Sequence, residues 1–128
     1  MQPTTRLLTG RVLSALAVLF MLFDTIGHLL RIQPVVDAFA RLGYPLSVSV
    51  GLGIVELVCT IVYVFPPTSI LGAILLTGYL GGAIAAQVRI GSPLLSTTLF
   101  PIYIAALIWG GLWLRDERLR ALVPLRRS

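Results

Sequence analysis

The chain has 128 residues, of which 57% are hydrophobic and only 12% are charged, and its mean hydropathy is +0.96. This composition excludes a soluble globular domain and indicates an integral membrane protein, and the length leaves room for one domain, residues 1–128. The net charge of +5 comes from arginines at the ends of apolar runs, so it indicates membrane topology and argues against nucleic-acid binding.

The chain contains four apolar runs, each close to the roughly 20 residues that a helix needs to cross a bilayer. They cover residues 12–30, 46–65, 69–88 and 95–114. We therefore predict an all-α membrane protein, a four-helix transmembrane bundle embedded in the lipid bilayer. The first run follows two arginines, as a signal peptide would. It is longer than a typical signal and carries Asp24 and His28, so we expect a retained helix.

Two of the connections carry turn signals. Between the second and third runs, Pro66 and Pro67 cannot continue a helix, so we predict a tight turn with Thr68 or Ser69 as the next N-cap. In the first loop, residues 34–43 have proline at the start, glycine at the end and an amphipathic pattern between them. We predict a short helix there at the outer membrane interface, a structural strap in preference to a mobile lid.

Four spans place both chain termini on the same side of the membrane. The arginines then form two groups, with Arg6, Arg11, Arg115, Arg118, Arg120, Arg126 and Arg127 on the terminal side and Arg31, Arg41 and Arg89 on the other. The excess of positive charge marks the cytoplasmic side. We therefore predict a multi-pass protein with both termini in the cytoplasm.

Three ionisable residues lie inside the apolar runs, where such groups are costly and usually face a cavity, a partner or a ligand. Asp24 and His28 are four residues apart and share a helix face. Glu56 belongs to a stripe of small and polar residues on the second run: Ser49, Gly53, Glu56, Thr60 and Tyr63. With a rise of about 1.5 Å per residue, Glu56 lies roughly 15 Å from the outer face, and the three ionisable groups fall in one layer, slightly towards the outer leaflet.

This shared layer predicts a pocket that opens to the outer side. The candidate ligand-binding or proton-handling residues are Asp24, His28, Glu56, Tyr79, Gln87 and Arg89. The structural alternative is that Asp24 and His28 form a satisfied pair that joins helices, while Glu56 bonds to a hydroxyl. In the third run, Gly78 and Gly82 form a small-xxx-small pattern, which predicts a close approach of two helices.

Other chemistries find less support. One histidine and one cysteine per chain cannot provide a bis-histidine haem site, a Cys-x-x-Cys pair or a structural zinc site. We therefore expect no metal and no intrinsic cofactor, and we expect Cys59 to be a small packing residue.

From Arg11 to about Leu125 the chain resembles the DoxX-like family of small four-helix bacterial membrane proteins. The motifs that carry the resemblance are Phe23-Asp24 with His28, the loop from Pro34 to Pro45, the stretch Gly53-Ile54-Val55-Glu56-Leu57, the run from Leu71 to Tyr79, and the stretch from Trp109 to Asp116. The resemblance implies a four-helix bundle in the bacterial inner membrane. It also implies a link to quinone-dependent sulfur oxidation or to oxidative-stress membrane complexes, as in some relatives.

Three functions follow as hypotheses. The first is a redox-associated membrane subunit that binds a quinone or another small lipophilic molecule through His28, Glu56 and Tyr79, with a partner subunit that carries the electron-transfer cofactor. The second is a small proton-coupled transporter, a homodimer in which Glu56 exchanges protons for substrate. The third is a non-catalytic scaffold or assembly factor. The sequence does not decide whether the protein is an enzyme.

Overall fold

The protein is a bundle of four long helices, which the computed structural model describes over residues 2–126. The helices are α1 (Pro3–Leu30), α2 (Gln33–Leu42), α3 (Ser49–Val64), α4 (Ser69–Arg89), α5 (Phe100–Arg115) and α6 (Glu117–Leu122). Short helical turns at Leu46–Val48, Pro66–Thr68 and Leu94–Thr98 precede α3, α4 and α5, and residues 2–126 contain no strand. Four helical segments are long and apolar enough to cross a membrane. The predicted all-α, four-helix membrane bundle is confirmed.

The four long helices form a ring, in which α1 packs against α3 and α5, and α4 packs against the same two helices from the other side. Each long helix runs antiparallel to the next one along the chain. We call the end that carries α2 and residues 90–99 the α2 end. The opposite end, with the Pro66–Thr68 turn and α6, is the terminal end.

The first loop contains the short helix that the sequence predicts. The preceding helix, α1, ends at Leu30. The next residue, Arg31, takes a left-handed conformation with a φ of 51°, and the Ile32 N–H donates to the Gly27 carbonyl. Pro34 lies in the first turn of α2. Gly43 directly follows the last residue of this helix and has a φ of 79°. The Tyr44 N–H then bonds to the Phe39 carbonyl, the pattern of a helix end that uses a left-handed glycine.

The turn between α3 and α4 is as tight as Pro66 and Pro67 predict, but the predicted cap is wrong. Neither Thr68 nor Ser69 caps α4 with its side chain. Their hydroxyls instead donate to the Val62 and Tyr63 carbonyls, each at 2.7 Å. The reason is that the last carbonyls of α3 have no partner within their own helix and lie in reach of these hydroxyls.

Glycines set the closest helix crossings, but these glycines are not the pair that the sequence predicts. A Cβ added at Gly72 would collide with the Tyr63 backbone, and one added at Gly10 would lie 2.7 Å from the Gly111 carbonyl oxygen. These contacts let α4 approach α3 and α1 approach α5. Gly78 and Gly82 have no atom within 4 Å of the Cβ position, so the prediction of a close helix approach there is wrong.

A buried chain of hydrogen bonds joins α1, α3 and α5 near the terminal end. The Tyr63 hydroxyl donates to the Ile108 carbonyl at 2.7 Å, so its oxygen accepts from the Ser14 hydroxyl at 2.8 Å. The Ser14 oxygen in turn accepts from Arg115 Nε at 3.1 Å. Each side-chain polar group in this series of hydrogen bonds has a partner, as buried polar groups require.

We expect Tyr63→Phe to destabilise the bundle, because it leaves the buried Ile108 carbonyl and the Ser14 hydroxyl without this partner. The cost of such a loss is about 1–3 kcal/mol. Thermal unfolding of the purified protein in detergent measures it. The exposed Tyr44 offers a matched control, and an equal loss of stability in Tyr44→Phe would contradict the assignment.

Candidate functional site

The crossing of α1 and α3 creates the candidate site. A Cβ added at Gly53 would lie 3.0 Å from His28 Cβ and 3.1 Å from Leu29 Cδ2, so only a very small residue permits this crossing. The Ser49 hydroxyl also donates to the His28 carbonyl at 2.7 Å. These two contacts fix the end of α1 against α3. As a result, the His28 ring lies beside Glu56, which is one helical turn beyond Gly53.

The structure brings Asp24, His28 and Glu56 into one cluster. His28 Nδ1 lies 3.4 Å from Asp24 Oδ2 and 3.6 Å from Glu56 Oε2. From α4, the Tyr79 hydroxyl donates to the same Glu56 oxygen at 3.2 Å. Glu56 has no exposed surface, whereas 37% of the Asp24 side chain is exposed. The cluster therefore runs from an accessible carboxylate to a fully buried one.

The histidine has a defined hydrogen position. Its Nδ1 lies 2.8 Å from the Asp24 backbone carbonyl, and a carbonyl oxygen can only accept, so Nδ1 carries the hydrogen. Nε2 is then available to a ligand: it accepts a hydrogen bond when the ring is neutral and donates one when the ring is charged. The ring packs edge-on against Phe39 of α2, with a centroid distance of 5.8 Å.

One atom of the cluster has no hydrogen-bond partner among the described residues. This is Glu56 Oε1, which is buried. An unpartnered buried polar atom costs about 1–3 kcal/mol, and structural clusters normally avoid that cost. The Tyr79 hydroxyl supplies the bond to Glu56 that the structural alternative predicts, whereas Oε1 departs from it among the described residues, so that alternative stays a prediction.

A cavity of about 790 Å³ lies in the α2 half of the bundle and is partly open to the exterior. Its walls come from α1, α2, α4, the starts of α3 and α5, and the segments that lead into those two helices. Part of the wall is polar where α1 and α4 contribute Asp24, His28 and Tyr79. Most of the remaining wall is apolar. The missing side chains of Gly78 and Gly82 leave part of this space free.

The other predicted site residues lie in different places. Gln87 lines the cavity, and its side-chain oxygen accepts from the Ser92 hydroxyl at 2.6 Å. Arg89 does not line the cavity. Its guanidinium donates to the Leu42 carbonyl at the end of α2, at 3.4 Å, because that helix end presents carbonyls without partners. The ligand-binding role of all six residues stays a prediction.

Several cavity residues were not predicted. Ser96 and Thr97 line the wall from the wide turn before α5, and Phe20, Phe39 and Phe100 contribute aromatic surface. The two hydroxyl residues carry a weak signal, because they interrupt the apolar run just before Pro101. The aromatic residues carry none, since an aromatic side chain in a membrane helix is equally suited to lipid or to a cavity.

The family comparison agrees with this architecture. The model of the DoxX-like family matches residues 12–111, which include all three residues of the ionisable cluster. The chain belongs to the DoxX-like family. No curated protein and no solved structure matches it.

This DoxX-like protein has, in Asp24, His28 and Glu56, three ligand atoms within 4.8 Å of one another, a spacing that a metal ion could bridge. A metal ion on Nδ1 would have to displace the hydrogen that bonds to the Asp24 carbonyl. The hydrogen bond therefore competes with metal binding, and the expectation of no metal stays a prediction. What the arrangement offers chemically is a set of hydrogen-bonding and proton-exchanging groups on the wall of an apolar cavity.

Proposed function

We propose that this DoxX-like protein binds a small lipophilic molecule in its intramembrane cavity, with the polar head of that molecule against Asp24, His28 and Tyr79. One observation carries the proposal. A cavity of about 790 Å³, within the size range of small-molecule sites, has Asp24 and His28 of the ionisable cluster, together with Tyr79, in its otherwise largely apolar wall.

The lining supports a ligand with two chemically different parts. Most of the wall is apolar, and it would accept a hydrocarbon or ring system transferred from the surrounding lipid. The polar groups converge on the α1 side, where Nε2 of His28 and the exposed part of Asp24 remain available to a head group. Such a division would fix the orientation of the ligand through its head.

A redox-associated form of this function, with a quinone as the ligand, stays the hypothesis that the family resemblance favours. A quinone carbonyl could accept from a charged His28 ring, from the Gln87 amide or from the hydroxyls of Ser96 and Thr97. A partner subunit with an electron-transfer cofactor would supply the electrons. The transporter and scaffold hypotheses also stay predictions. Of these two, the complete burial of Glu56 favours the transporter.

The test of the proposed function fills the cavity without touching the ionisable cluster. We expect Gly82→Phe to place its ring in the cavity and to remove any small molecule that co-purifies with the wild type. Gly81→Phe is the matched control, because Gly81 also has no atom within 4 Å of its Cβ position but does not line the cavity. The measurement is mass spectrometry of molecules extracted from each protein in lipid nanodiscs, with size-exclusion chromatography as the check of folding.

A lipophilic molecule enriched in the wild type and in Gly81→Phe, and depleted in Gly82→Phe, supports the proposal. A quinone among these molecules would identify the redox-associated form. Identical extracts from all three folded proteins would overturn the proposed function.

A further inference from the structure

We infer that the cavity of this DoxX-like protein selects a lipophilic organic cation, such as a substituted ammonium with an apolar tail. The inference rests on the proposed function, because it names the class of molecule that the same cavity binds. Three features of the site support it: the charge of the wall, the position of the nearby cationic side chains and the aromatic lining.

The ionisable cluster carries more acidic than basic groups. Two carboxylates, Asp24 and Glu56, face a single imidazole, that of His28. Glu56 has no exposed surface and does not line the cavity, so Asp24 is the acidic group that the cavity wall presents to a ligand. A ligand with one positive charge would pair with the Asp24 carboxylate, and pairing of opposite charges is favoured where water is scarce.

Asp24 is the carboxylate that a ligand can reach. It lines the cavity, and 37% of its side chain is exposed. Within the cluster, Asp24 Oδ2 lies 3.4 Å from His28 Nδ1, which is longer than a good hydrogen bond, and Nδ1 lies closer to the Asp24 backbone carbonyl. The carboxylate oxygens therefore remain available to a cation that enters the cavity.

None of the described cavity-lining residues is an arginine or a lysine. The three arginines of the α2 end do not compensate for the acidic wall. Arg31 and Arg41 are exposed and do not line the cavity. Arg89 does not line it either, and its guanidinium is engaged by the carbonyl of a lining residue, Leu42. An anionic or strongly electron-rich head group would therefore meet Asp24 without an arginine or lysine to offset its charge.

Two pairs of aromatic rings belong to the cavity wall. Phe39 and Tyr44 form one pair, with ring centroids 5.9 Å apart, and Phe20 and Phe100 form another at 5.2 Å. All four residues line the cavity. The faces of aromatic rings attract cations, and aromatic cages commonly recognise quaternary ammonium groups. The combination of Asp24 and aromatic walls fits a cation better than a neutral carbonyl compound.

The test compares probes of equal shape and different charge. The probes are decyltrimethylammonium, its uncharged isostere with carbon in place of nitrogen, and decylubiquinone as a neutral quinone. Equilibrium binding to the protein in nanodiscs is measured after subtraction of the partition into empty nanodiscs. We expect the ammonium probe to bind wild type at least tenfold more tightly than its isostere, and Asp24→Asn to remove most of this preference.

Asp37→Asn is the matched control. Asp37 lies on the exposed side of α2 and does not line the cavity, so its replacement removes one carboxylate from the surface alone. We expect this variant to keep the full preference for the ammonium probe. If Asp37→Asn and Asp24→Asn lose the preference for the ammonium probe equally, that preference comes from the general surface charge. This result would overturn the cation inference.

The remaining outcomes separate the inference from the proposed function. If the isostere or decylubiquinone binds as tightly as the ammonium probe, and Gly82→Phe abolishes that binding, the cation inference is overturned while the proposed function stands. If none of the probes shows binding that depends on Gly82, both are overturned.

Discussion

Glu56→Gln is expected to keep the bundle folded and at least as stable as the wild type while it weakens ligand binding. The side chain is fully buried and one of its oxygens has no partner, so removal of the ionisable group relieves a cost of burial. The amide keeps the shape and can still accept from the Tyr79 hydroxyl. Glu56 does not line the cavity, so its replacement acts on a ligand through His28, whose Nδ1 lies 3.6 Å from the carboxylate, and should reduce affinity by at most roughly tenfold.

Thermal unfolding and ligand retention in nanodiscs measure these two effects on the same samples. The double variant Glu56→Met with Tyr79→Phe extends the test, because replacing both partners with apolar groups of similar shape is close to neutral for stability. A failure of both variants to fold would show that Glu56 is a structural residue. Reconstitution with a pH gradient tests the transporter hypothesis, and equal proton flux through wild type and Glu56→Gln would exclude it.

Gly72→Val is expected to have the largest effect on stability. Its Cβ would collide with the backbone of Tyr63, and backbone cannot move aside as a flexible side chain can. To avoid the collision, α4 would have to withdraw from α3, which also disturbs the hydrogen bonds of Tyr63 with Ser14 and Ile108. Overpacking of this kind costs about 1–3 kcal/mol or more. We expect little folded protein after extraction in detergent.

Gly81→Val is the control for this prediction. It makes the same chemical change in the same helix, but at a position with no atom within 4 Å of the Cβ. Fluorescence-detected size-exclusion chromatography compares the yield of folded protein. Equal yields from the two variants would contradict the close contact of α3 and α4 at Gly72.

The elements of the fold follow closely from local sequence. The predicted spans agree with the helices to within a few residues, except that α1 begins at Pro3, well before the predicted start at residue 12. Hydropathy indicates where a chain must leave the lipid, whereas a helix can continue beyond the membrane when no residue breaks it. The cluster of Asp24, His28 and Glu56 was also predictable, because helical phase and depth are both set by counting along the chain.

The shape of the cavity was not predictable in the same way. Gly78 and Gly82 have the spacing of a helix-contact motif, yet they border open space, while Gly53 and Gly72 make the close crossings. Small residues permit a close approach, but the side chains opposite them decide whether it occurs. Arg89 similarly lies near the predicted site in depth, but its guanidinium donates to the Leu42 carbonyl at the end of α2, and Arg89 does not line the cavity.

The sequence by itself determined the membrane class, the four spans, the short helix in the first loop and the common depth of the ionisable residues, because hydrophobicity and helical periodicity are properties of neighbouring residues. The tertiary structure decided which helix faces meet, which glycines pack and which leave a cavity, and which oxygen of Glu56 has no partner. These features depend on the volumes and hydrogen-bonding groups of side chains from distant parts of the chain, which meet only when the helices assemble.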